Sequence, residues 1–361
     1  MPAPSLPKLD EKLYFAPFAD VIPPETAIIT SPPHHPTTVR HAGQARAILV
    51  LGPGRSGTST LARALAALGV YLGKDFRRPV RKNPRGNQEE VHLLKLSKAL
   101  RNSVGVRADS VRRIDPSAFR NARTLELTRR LSDAIGRHFG DSALWGFKYA
   151  GTGRILPVWL ELLPRMGIEP SFVFAYRNPV SVASSRAKLD AARGRIEHSQ
   201  LEWLAHVVPT FNQLHGQRVV VVDYDRLLDD AETELRRIAE RLQIAVTAET
   251  EAGIQEFQRG FLRSDWRHTR FGDADLADDA SLNPLVRRAG LLLSRLASDR
   301  VSLDDASVWA EWQEIEADHR DQDATLRLID KMNADTRRAR WWDITRPLRL
   351  AWNKMPLLRS R

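Results

Sequence analysis

The run Gly52-Pro53-Gly54-Arg55-Ser56-Gly57-Thr58-Ser59 has the composition of a loop that holds a phosphate or sulfate. Its glycines let backbone N–H groups converge on an anion, and a helix starting at its end adds the partial positive charge of its N-terminus. Laid over the ATPase pattern G-x-x-x-x-G-K-[ST], the run has Thr58 in the lysine position, and its only cation is Arg55, three residues earlier. A permanently charged, forked guanidinium still suits phosphate and sulfate oxygens. Three more polar residues, Lys148, Arg177 and Tyr224, close or follow apolar runs, and Asp223 is the one acid near such a position. A magnesium-dependent nucleotide enzyme calls for a loop lysine and an acidic strand end, so this set favours an anion held without a metal.

These residues need elements to carry them. Ala45 to Gly52 is a short apolar run ending in glycine, which predicts a buried parallel strand. A helix is predicted from Thr58 to Leu68, with Leu61, Leu65 and Leu68 on one face and Gly69 as its stop. Ala143 to Tyr149, Ser171 to Tyr176 and Arg218 to Asp223 read as further buried strands separated by helical stretches. The pattern predicts an α/β fold, a central parallel sheet flanked by helices in three layers with its ligand at the carboxyl ends of the strands. Beyond about residue 280, Leu285 to Ser298, Val308 to Ala334 and Arg337 to Lys354 read as helices, the last interrupted by Pro347. The division expected is a proline-rich arm over 1–44, with nine prolines, a catalytic domain over 45–275 and a helical C-terminal appendage over 276–361.

Composition bounds the chemistry. The chain has 361 residues, 42% hydrophobic and 27% charged, and no stretch approaches a membrane-spanning length. It has no cysteine, which excludes disulfides, thiolate metal sites and cysteine nucleophiles. Its N-terminus lacks the basic and apolar regions of a secretory signal, so the expected compartment is the cytoplasm. A net charge of +11 favours polyanionic partners. No nucleic-acid recognition module accompanies that charge, so nucleic acid is not an expected partner. The last 25 residues hold eight Lys/Arg against one Asp, interleaved with Trp341, Trp342 and Trp352, a pattern suited either to an anionic membrane surface or to a half-buried helix.

Taken with its neighbours, the loop resembles that of the sulfotransferases that use 3′-phosphoadenosine-5′-phosphosulfate (PAPS), in which a cation precedes Ser-Gly-Thr, as in Arg55-Ser56-Gly57-Thr58. Bacterial members follow it with Asn-Pro-x-Gly-x-x-Glu, and this chain has Asn83-Pro84-Arg85-Gly86-Asn87-Gln88-Glu89. The family also places an arginine after a strand and a serine eight residues later, matched by Arg177 and Ser185. Trp145-Gly146-Phe147-Lys148 is similar to its strand ending in lysine, and Val222-Asp223-Tyr224 to its strand ending in tyrosine. The resemblance covers about residues 45 to 270.

It implies a P-loop fold and an in-line sulfo transfer with PAPS as donor, adenosine 3′,5′-bisphosphate as product and no metal. Gly54, Arg55, Ser56, Gly57, Thr58, Ser59 and Thr60 would then hold the 5′-phosphate, with Arg55 meeting the charge on the leaving oxygen. Arg177 and Ser185 would hold the 3′-phosphate. Glu89 takes the family's general-base position, while a glutamate in a first helical turn also serves simply to complement the helix dipole. Glu90 lies beside it, and His92, three residues on, is the next base to test. Lys148 would contact the sulfo group or bridging oxygen, and Tyr224 would donate to a phosphate or pack. The basic segment Lys74 to Arg85 fits an anionic acceptor or a cover over the donor, and the expected acceptor is a carbohydrate or glycolipid. Two other readings are a P-loop nucleotide kinase or NTPase, and a non-catalytic nucleotide-binding protein.

Overall fold

A computed structural model describes residues 44–76, 88–261 and 270–337. The proline-rich arm up to residue 43, the basic tail beyond 337 and the stretch 77–87, with most of the Asn83 motif, lie outside the described residues.

Four strands form one parallel sheet: β1 (Ala45–Leu51), β2 (Leu144–Lys148), β3 (Ile168–Tyr176) and β4 (Val219–Asp223), in the order β2-β1-β3-β4. The order changes direction between β1 and β3, which makes the crevice beyond their carboxyl ends the natural ligand position. Register brings Val50 beside Lys148, Leu51 beside Phe174 and Tyr176 beside Asp223. The residues that end or follow the four strands therefore gather at one edge of the sheet.

Both faces are covered, as a parallel sheet requires. Helices α1 (Thr58–Ala67), α2 (Val91–Ser103), α3 (Ala122–Phe139) and α4 (Leu156–Arg165) precede β3. Then come α5 (Pro179–Ala187), α6 (Ala191–Gly194) and α7 (Ile196–Asn212) before β4. After β4 follow α8 (Tyr224–Asp229), α9 (Ala231–Arg241), α10 (Ala248–Glu256), α11 (Asp273–Asp278), α12 (Pro284–Ala297) and α13 (Ala306–Asp321). Alternation along the strands sorts the core: Ile48, Val50, Val173 and Ala175 meet α1 and α9 on one face. Leu49, Leu51, Phe172 and Phe174 meet α3, α4, α7 and α12 on the other. The predicted three-layer α/β architecture is the observed one, and Gly69 ends α1 with a left-handed φ of 82°.

The C-terminal helices differ from the expected appendage in how they pack. Leu285, Val286, Leu292, Trp312 and Ile315 belong to the same core as the sheet. Trp312 is fully buried, its ring 4.5 Å from that of Phe211, which in turn packs edge-on against Phe174 of β3 at 5.1 Å. The helix read as Val308 to Ala334 is interrupted at Gln322, with a second helical stretch over 323–337. Among the described residues no helix is long and apolar enough to cross a membrane. Emptying the Trp312 position should cost about 3–5 kcal/mol. Urea unfolding of Trp312→Ala is therefore expected to show one cooperative transition at a markedly lower midpoint, rather than early loss of the C-terminal helices alone.

Candidate active site

The loop after β1 is shaped by two backbone requirements. Gly57 has φ 81°, and a β-carbon there would lie 2.1 Å from Cδ2 of Tyr224, so only glycine lets the loop rest on that ring. Arg55 also has a left-handed φ, 78°, unusual for a residue with a side chain. Helix α1 then begins at Thr58 with the Leu61 N–H donating to the Gly57 carbonyl at 3.0 Å. Gly57 is its N-cap, so no side-chain oxygen caps the start of α1. Its first-turn amides thus point at the end of the sheet, where an anion would satisfy them.

The strand ends close around this loop. Arg55 Nε donates to Ser185 Oγ at 3.1 Å, and Arg177 Nη1 donates to the Arg55 carbonyl at 3.3 Å. The Arg177 guanidinium lies over the Tyr224 ring, 4.8 Å from its centre. Four residues predicted to bind the donor, from three distant segments, are thereby brought together. Partial desolvation of its guanidinium, and then the charge of Arg177, lower the Arg55 pKa, with Tyr224 opposing. Two arginines held this close suit a ligand of high negative charge.

On the other side of the loop, Lys148 Nζ donates to Ser59 Oγ at 3.0 Å and to Glu89 Oε1 at 3.1 Å. Both members of this ion pair are buried. Glu89 is not in a helical turn: Glu90 is the N-cap of α2, its carboxylate accepting the Leu93 N–H at 2.8 Å. Glu89 therefore faces the loop instead of complementing the helix dipole. His92, three residues after Glu89, is turned to the cap instead, its Nδ1 lying 2.8 Å from Glu90 Oε1. Thr58 and Thr60 are buried in the first turn of α1, and a β-carbon on Gly54 would reach Ala150 Cβ at 4.0 Å without a clash.

Three features of these residues fit a polyanionic ligand. The start of α1 is uncapped. The buried hydroxyls of Ser56 and of Ser181, one turn before Ser185 on α5, have no hydrogen-bond partner among the described residues. The paired arginines supply the charge. Asp223, the acid read near a strand end, is occupied as the N-cap of α8, accepting from the Asp225 and Arg226 amides. Burial raises its pKa to about 6 against those two hydrogen bonds.

A buried support beneath Ser185 was not predicted. Arg186 Nη2 meets Glu202 Oε1 at 3.2 Å and its Nη1 donates to Ser199 Oγ at 3.0 Å, while Arg193 Nη2 reaches the same Glu202 oxygen at 2.6 Å. The pairs tie α5 and α6 to α7 and so set the direction of Ser185. An acid inside the otherwise apolar run Leu201-Glu202-Trp203-Leu204 was the available signal.

A profile of the sulfotransferase family matches residues 47–248, more than half of the chain, and the chain belongs to that family. It is accordingly a sulfotransferase. No curated protein matches it in sequence comparison. Among solved structures it is similar to the sulfotransferase STF1 from Mycobacterium tuberculosis H37Rv, with 16% identity over 59% of this chain and 71% of that chain and a TM-score of 0.43. It is also similar to sulfotransferase STF9 from Mycobacterium avium, with 18% identity over 78% and 77% of the two chains and a TM-score of 0.41.

Burial alone would raise the Glu202 pKa, but neighbouring His198 and the charges of Arg186 and Arg193 outweigh it and hold the group at about 2. Stability from this carboxylate is present above the ordinary value near 4.5 and is lost as pH falls from there towards 2. Glu202→Gln is expected to lose about 3–5 kcal/mol at neutral pH. Its thermal midpoint should fall less steeply than that of the parent protein between pH 4.5 and 2, as differential scanning calorimetry would read.

Proposed function

We propose that the enzyme takes its sulfo group from PAPS and passes it to a hydroxyl or amine of an acceptor, by in-line displacement and without a metal. The observation that carries this reading is the bridge from Arg177 to the Arg55 carbonyl and from Arg55 to Ser185, set beside the uncapped start of α1. A donor phosphorylated at both 5′ and 3′ positions offers one anion to each. In this assignment the Ser56 to Ser59 amides, with Gly54 and the Thr58 and Thr60 hydroxyls, hold the 5′-phosphate. Arg177 and Ser185 hold the 3′-phosphate, with the Tyr224 ring backing the arginine.

Transfer forms a bond from sulfur to the acceptor's oxygen or nitrogen and breaks the bond from sulfur to the phosphate oxygen, which leaves with the electron pair. Glu89 takes the acceptor proton. Lys148, already on Glu89 and Ser59, orients that carboxylate and meets the sulfo oxygens, and Arg55 stabilises the charge on the leaving oxygen. The buried ion pair supports Glu89 over His92 as the base, because His92 is turned to Glu90.

The acceptor proposed is a carbohydrate or glycolipid, supported by the chain's +11 charge and by the basic segment from Lys74 to Arg85 before Glu89. The same reading keeps the enzyme in the cytoplasm, with the basic tail from Arg337 to Arg361 able to meet an anionic membrane.

The donor is tested by thermal shift. Adenosine 3′,5′-bisphosphate at a hundred times its Kd should stabilise the protein by about 2.7 kcal/mol, and stabilisation by ATP-Mg²⁺ alone would overturn the reading. Arg177→Ala should weaken that binding roughly 10- to 100-fold, the worth of a charged hydrogen bond. Glu89→Gln should keep the binding and lower kcat roughly a hundredfold or more; unchanged kcat removes Glu89 from the mechanism.

A further inference from the structure

Beside the proposed donor site lies a second set of ligating side chains that sulfo transfer does not use. Asp75, Glu90, His92 and His138 each bring one ligand atom to within 4.8 Å of the others. They come from three parts of the chain: the segment after α1, the start of α2 and the last turn of α3. Backbone pairing holds the first two together, with the Val91 N–H donating to the Asp75 carbonyl at 2.8 Å and Phe76 bridged to Glu90. Gly73, at φ 96°, lets the chain pass closely, since a β-carbon there would lie 2.8 Å from Glu90 Cγ.

The side chains are close enough to share one ion. Glu90 is buried and its carboxylate is fixed by the Leu93 amide, so the contact of its other oxygen with His92 Nδ1 fixes that ring too. The His92 ring stacks on that of His138 with centres 4.2 Å apart and planes 17° from parallel. Two near-parallel rings cannot both point a nitrogen at one ion, so binding turns one of them about its Cβ–Cγ bond. His92 Nδ1 and Glu90 Oε1 are 2.8 Å apart. Bonds of about 2.0–2.1 Å hold tetrahedral ligand atoms about 3.3–3.4 Å apart, so that pair would open by roughly half an ångström. Two imidazoles and two carboxylates suit a borderline divalent ion, whereas Mg²⁺ and Ca²⁺ prefer oxygen alone. The two carboxylates also balance its charge.

We propose that Asp75, Glu90, His92 and His138 bind one divalent transition-metal ion, with Zn²⁺ as the type. The ion acts as a clasp: it fastens Asp75 and Glu90, which flank the basic segment before Glu89, to the end of α3. Glu89 is the residue next to Glu90, so the clasp fixes the base's backbone while its carboxylate faces Lys148. The site takes no part in the transfer, and its existence does not depend on the identity of the sulfo donor.

The full chain, stripped with a chelator and dialysed, is titrated with Co²⁺ followed by visible absorption, then with Zn²⁺ in competition. One equivalent of Co²⁺ is expected to give the intense bands of a four-coordinate site and to be displaced by Zn²⁺, with a higher unfolding temperature. Asp75→Asn and His138→Gln should each weaken binding roughly tenfold or more, with circular dichroism and cooperative unfolding retained. Asp75 is exposed, so its variant reads out binding even if the His138 variant fails to fold. Absence of one-equivalent binding would overturn the proposal. So would an equivalent that persists in Asp75→Asn and in whichever His138 variant folds, since His34 and His35 of the arm offer an adventitious site. Mg²⁺ binding as tight as Zn²⁺ would overturn the choice of ion.

Discussion

The left-handed turn at Arg55 costs a side-chain-bearing residue roughly 1–2 kcal/mol, and the arrangement of the site depends on what holds it. Arg177 donates to the carbonyl of that turn, and Ser185 accepts from its side chain. Both come from the segment following β3, which the strand order places directly beside β1. The loop is therefore not shaped by its glycines alone. Its conformation and the placing of the second arginine are one event, and each stabilises the other.

Charge gives that coupling its purpose. Arg55, Arg177 and Lys148 gather at one end of the sheet, with Glu89 drawn in by Lys148. Like charges so close raise the free energy of the empty site, which an anionic ligand relieves. The cost is carried by packing elsewhere: Glu202 holds Arg186 and Arg193 beneath Ser185, and the aromatic stack from Trp312 through Phe211 to Phe174 fixes β3, the strand that leads into Arg177. The C-terminal helices thus contribute to the site without touching it.

Much of this was legible in the sequence because parallel strands buried on both faces are continuous apolar runs. β1, β2 and β4 fall within a residue or two of their expected bounds. β3 begins at Ile168 rather than Ser171, because Glu169 and Pro170 break the apolar run although they pair with Arg46 and Ala47 of β1. The residues that gather at the strand ends were named from the loop pattern and the family resemblance, but their contacts were not legible. That Glu90 rather than Glu89 would cap α2, and so send Glu89 to Lys148 and keep His92 for itself, depends on where a helix starts, the least readable feature of a sequence. The apolar faces of α12 and α13 announced helices but not their partners, so their place in the main core appeared only in three dimensions. The break at Gln322 has neither glycine nor proline to mark it.

The central claim is that one bisphosphorylated nucleotide spans the loop and the end of β3. A crystal structure with adenosine 3′,5′-bisphosphate measures it directly. The account predicts the 5′-phosphate on the first-turn amides of α1 beside Arg55 and Lys148, and the 3′-phosphate on Arg177 and Ser185. A nucleotide bound with its 3′-phosphate away from Arg177 and Ser185, or bound elsewhere on the molecule, would contradict it.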